Sequence, residues 1–98
     1  MFSWFDASAA KEFGSAMARF YIERMPLNSG LNEKQFASKA KLVLEKMARQ
    51  LQSFKQQNKL NTYKIAQMGN TFKWGLKDAG YDEAYVDRLT EWLVATIQ

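Results

Sequence analysis

The sequence predicts an all-α protein, a compact bundle of four antiparallel helices forming a single domain over 1–98. Three observations lead there. Apolar residues recur at three- and four-residue spacing through nearly the whole chain. Three boundaries between these stretches each join an N-capping residue to a pair of apolar staple positions. One Pro and five Gly are too few for the many turns of an all-β fold. A 47% apolar content with seven Phe, four Tyr and three Trp supplies a core and argues against disorder.

The first helix is expected from about Asp6 to about Arg24. Ala9, Phe13, Ala16, Met17 and Phe20 stack on one face at helical spacing. Pro26 stops the helix, because the residue before a proline avoids the α region. Ala10, Gly14 and Ala18 form a second, small-residue row. Lys11, Glu12 and Arg19 beside it speak against membrane dimerisation and for a close helix crossing in water.

The segment 26–30 carries turn residues. The second helix is expected over 33–57, with Asn32 as N-cap, Gln35 as its capping-box partner and Leu31 with Phe36 as the staple. Phe36, Ala40, Val43, Leu44, Met47, Leu51 and Phe54 mark its buried stripe. The third helix is expected over 62–79, capped by Asn61 and stapled by Leu60 and Ile65. Ile65, Met68, Phe72, Leu76 and Ala79 face inward. Gly69 and Gly75 each cost about 1 kcal/mol against Ala inside a helix, so a close helix approach is the expected reason for them. Gly80 suits a left-handed C-terminal cap, with Tyr81 folding back on Leu76. The fourth helix, 83–97, begins at Asp82, uses Tyr81 and Val86 as its staple, and buries Val86, Leu89, Leu93 and Ile97.

Charge is distributed in blocks. Residues 34–77 hold ten bases and one acid, whereas 78–98 hold one base and five acids. Such a pattern attracts an anionic partner or is neutralised within the fold or in a dimer. On the second helix, Lys34, Lys39, Lys41, Lys46, Arg49, Lys55 and Lys59 spread over the whole outer arc, with Leu42 alone among them. We expect a basic surface of Lys41, Lys46, Arg49, Lys55, Lys64 and Lys73, open to partners or simply solvated.

Opposite the core stripe of the third helix, Tyr63, Gln67, Asn70, Trp74 and Lys77 form one ridge. It packs on a neighbouring helix or meets a partner, since Trp and Tyr bury much area at little rotamer cost. The fourth helix has a wide apolar arc, extended by Tyr85 and Trp92, which is either buried between two neighbours or part of a homodimer contact. Its polar strip, Glu83, Asp87 and Glu91, repels itself and calls for lysines from the second or third helix or for a basic partner. Phe2, Trp4 and Phe5 are expected to dock into the bundle, because no basic cluster beside them would hold anionic lipid.

Catalysis finds little support. His and Cys are both absent, which removes the commonest general base, the best thiol nucleophile and any disulfide. No glycine loop has the order needed to cradle phosphate. The three acids of the fourth helix have no dedicated loop for a cation. We therefore expect no enzyme, no cofactor and no metal. The N-terminus meets Asp6 without a basic region, unlike a secretory leader. The longest stretches free of charged residues, 25–32 and 65–72, are too short to span a bilayer. A cytoplasmic protein is expected. Two functions remain. One is a non-enzymatic protein-interaction module, an adaptor or regulator, using the ridge and the basic surface. The other is a weak, sequence-tolerant nucleic-acid binder on the same basic surface, because Arg49 is the only arginine of the basic block and Arg is the commonest base reader.

Overall fold

In a computed structural model that describes residues 4–98, the chain is four helices joined by short connections: α1 (Ser8–Arg24), α2 (Glu33–Gln57), α3 (Thr62–Asp78) and α4 (Glu83–Ile97). Local chemistry sets the boundaries. Asn32 Oδ1 accepts from Gln35 N at 2.8 Å and Gln35 Oε1 accepts from Asn32 N at 3.1 Å, a complete capping box. Asn61 and Asp82 cap α3 and α4 by accepting from Lys64 N and Tyr85 N. At the end of α3, Gly80 adopts φ +97°, a conformation open to Gly at little cost. Tyr81 N then donates to Leu76 O at 3.2 Å and Gly80 N to Lys77 O at 3.0 Å, closing a Schellman motif. These bonds leave Ala79 outside the helix and exposed, which corrects its assignment to the buried stripe.

The start of α1 also differs from expectation. Asp6 lies ahead of the helix and accepts from Ser8 N at 3.1 Å. Ala7 occupies the capping position without a side chain able to cap. The hydrogen bonds from Ser8 hold the Asp6 carboxyl below its ordinary pKa, because they favour the charged form.

Consecutive helices alternate in direction. The most extensive interface, however, joins α1 and α3, which run the same way. Contacts advance together along both: Trp4 with Asn61, Lys11 with Thr71, and Ala18 with Gly75. Likewise α2 and α4 run parallel, with Phe36 near Tyr85 at one end and Lys55 near Gln98 at the other. Around the bundle the order is therefore α1, α3, α4, α2, which sets α2 and α3 on a diagonal without close backbone approach.

That arrangement changes which face of α1 is buried. Ala10, Gly14, Met17, Ala18 and Tyr21 are buried, whereas Ala9 is exposed and Phe13, Ala16 and Phe20 are half-buried. The physical reason is the closeness of the crossing. A Cβ on Gly14 would overlap Met68 O and Thr71 Oγ1, and one on Gly75 would meet Ala18 Cβ at 2.8 Å. Small residues let the two backbones approach, so the Phe residues move to the flanks, where Phe13 stacks on Phe54 with ring centroids 4.3 Å apart. Gly69 plays the matching part against α4, facing Val94 and Thr90. The core inside these helices contains Met17, Met47, Leu51, Met68, Phe72, Leu76 and Leu93. No helix among the described residues is long and apolar enough to cross a membrane.

Candidate functional site

The ridge of α3 lies on the solvent side. Its positions repeat with the helix, and α1 and α4 flank α3 on the inner sides. Trp74 is 56% exposed. Lys77 Nζ sits 5.4 Å from the Trp74 ring centroid and forms an ion pair with Glu83 of α4 at 3.0 Å. The tryptophan therefore stands on a cation that is itself anchored from the next helix. Tyr63 and Asn70 are exposed and Gln67 is half-buried. The five residues share one face, with Tyr63 about 16 Å along the axis from Trp74 at 1.5 Å per residue.

The N-terminal segment lengthens this face. Phe5 meets Tyr63 edge-on, with centroids 5.5 Å apart, and Trp4 O accepts from Asn61 Nδ2 at 3.0 Å. Trp4 and Phe5 remain 55% and 68% exposed. They rest on the end of the bundle and do not enter its core, contrary to the docking expected for them. Phe2 lies outside the described residues. Periodicity had no means of finding this extension, because Trp4 and Phe5 precede the helix and join Tyr63 only through the fold.

The basic residues do not form one continuous sheet. Lys73 pairs with Asp87 at 3.7 Å and Lys77 with Glu83, so two acids of α4 are relieved by α3. Glu91 has no cation within ion-pair distance among the described residues. Lys64 turns to the α2–α3 connection, donating to Lys59 O at 3.2 Å. On α2, Lys41, Lys46, Arg49 and Lys55 are exposed on the outer side, one diagonal away from the ridge. Lys55 Nζ donates to Gln98 O.

Tyr85 and Trp92 are half-buried and packed within the chain. Tyr85 lies between Tyr21 and Phe36, and its hydroxyl is hydrogen-bonded to that of Tyr21. Trp92 borders a groove of about 450 Å³ along α2, lined also by Ala37, Ala40, Leu44 and Ala48. α4 packs between α2 and α3, leaving Trp92 partly open to the groove. Burial pushes the Tyr21 hydroxyl well above its ordinary pKa, and the bond to Tyr85 adds to this. Tyr81 is raised too, again chiefly by burial, and its hydroxyl donates to Met25 O. These three tyrosines tie the α1–α2 loop and the α3–α4 turn together, a cluster without any local sequence signal. Compared with protein-family models, curated proteins and solved structures, the chain finds no match in any of the three.

Proposed function

We propose that this chain is a small, non-enzymatic protein-interaction module that presents the α3 ridge to a protein partner. The observation that carries the reading is the exposure of Trp74 on a rigid helix, above a lysine already held by Glu83. An aromatic anchor with few rotamers to lose binds at low entropic cost. Gln67 and Asn70 add amide donors and acceptors between the two aromatic positions, and Phe5 enlarges the apolar area beside Tyr63. Hydrogen-bonding groups set between aromatic anchors are common in such interfaces.

Cross-linking with mass spectrometry in the cells of origin, run in parallel on wild type, W74A and L42A, tests this. A partner held by wild type and L42A but lost with W74A is the expected result. Identical partner sets for wild type and W74A, with helicity preserved, would refute the ridge as the contact.

A further inference from the structure

We propose that the outward face of α2 binds the phosphate backbone of duplex nucleic acid, without reading base sequence and without using the α3 ridge. The six cations of α2, Lys34, Lys39, Lys41, Lys46, Arg49 and Lys55, are all exposed, as is Lys59 just beyond its end. Lys55 is held by Gln98 O at 2.9 Å, and none of the seven has a carboxylate side chain within ion-pair distance among the described residues. The fold had acids to offer and placed two of them on α3, at Lys73 and Lys77. The diagonal arrangement keeps α2 away from the other basic helix, so its charge points outward. Lys34 with Lys41, and Lys39 with Lys46, form two rows of seven-residue repeat, with Arg49 and Leu42 between them. Each repeat advances about 10 Å along a rod of about 38 Å.

The chemistry of this face selects among anionic partners. An acidic protein would need apolar or aromatic anchors at the centre of its contact; between the two rows of cations stands only Leu42, 59% exposed, and the groove of Trp92 and Ala48 lies to one side, beside Lys41. An anionic bilayer holds a helix by its inserted apolar side, but Val43, Met47 and Leu51 are buried against the rest of the chain. Single strands are gripped by aromatic stacking, whereas Phe36 and Phe54 of α2 lie half-buried on the inner side. A duplex demands none of these. It carries one charge per roughly 1.7 Å of axis and is held by cations alone. With one arginine among six lysines, the face suits phosphate contact over base-edge readout.

The test is fluorescence anisotropy of the full chain with a labelled 20-base-pair DNA of arbitrary sequence, titrated between 50 and 200 mM salt. For about five neutralised phosphates the affinity falls roughly 500-fold over that range, a log–log slope of about −4.5. The variant K41Q/K46Q/R49Q should flatten the slope by about 2.7, and K34Q/K39Q by about 1.8, at about 0.9 per lost contact. K73Q/K77Q and W74A should leave it unchanged. Circular dichroism of each variant verifies the fold. No binding at 50 mM salt overturns the proposal. So does a slope indifferent to the α2 substitutions, or equal competition by polyglutamate or by phosphatidylserine vesicles of matched charge.

Discussion

The hydroxyl of Thr71 in α3 donates to the carbonyl oxygen of Lys11 in α1 at 2.8 Å, across two helices that point the same way. The bond exists because Gly14, three residues along α1, has no side chain to hold the helices apart. This crossing supports the inner side of the ridge and holds α3 in place.

Adding a methyl group there should be costly. Gly14→Ala gains about 1 kcal/mol of helix propensity, but its Cβ collides with Met68 O, a backbone atom. We expect a net loss of about 2 kcal/mol, within the overpacking range. In a domain of this size that lowers Tm by about 8–16 °C. Gly75→Ala, facing Ala18 Cβ, should lose less. Gly69→Ala meets only the Val94 and Thr90 side chains and should be near neutral. Thermal unfolding by circular dichroism gives the order, and a wild-type Tm for G14A would contradict the close crossing.

The tyrosine cluster gives the protein an alkaline limit. The folded state holds the Tyr21 and Tyr81 protons more tightly than the unfolded chain, whose tyrosines titrate near 10. The stability that follows is complete below that pH and is lost as pH rises above it, where the unfolded state releases protons first. Urea midpoints should be flat from pH 7 to 9 and fall by pH 10.5. Y21F should blunt that fall, while costing about 1 kcal/mol at pH 7 through the lost hydroxyl pair.

Asn61 has two separable duties. Its Oδ1 caps α3 and its Nδ2 donates to Trp4 O. Asn61→Asp keeps the cap and removes the donor. The expected result is unchanged global stability with a freed Trp4 segment, seen as faster amide exchange at residues 5–8. Asn61→Ala loses both and should cost about 1 kcal/mol.

Trp74 and Phe72 lie two residues apart on α3 and should respond in opposite ways. Trp74→Ala removes an exposed ring and one cation–π contact, for a loss of at most about 1 kcal/mol. Phe72→Ala hollows the core at a fully buried position and should cost about 3–5 kcal/mol. Denaturant titrations of both variants decide it; a large loss in W74A would make that tryptophan structural.

The starts of α2, α3 and α4 and the end of α3 were legible residue by residue. Asn32, Asn61, Asp82 and Gly80 act on groups two to four positions away, so the local chain contains both partners. The stripes of α2 and α4 were legible for the same reason, as was the common face of Tyr63, Gln67, Asn70, Trp74 and Lys77. The face of α1 was not. Phe13 and Phe20 are more hydrophobic than Ala10 and Gly14, and only the nearness of α3 makes small size outweigh hydrophobicity there.

The sequence by itself determined four helices, the caps of α2, α3 and α4 and the sidedness of those three, because those properties come from hydrogen bonds and spacings within a few residues. The tertiary structure alone decided that α1 lies parallel on α3. It also decided that Lys73 and Lys77 meet Asp87 and Glu83 while the cations of α2 pair with no carboxylate side chain among the described residues, and that Trp4 and Phe5 come to rest beside Tyr63. Each of these depends on which helices become neighbours. Backbone approach and charge pairing across the bundle are set by the packing of the whole chain.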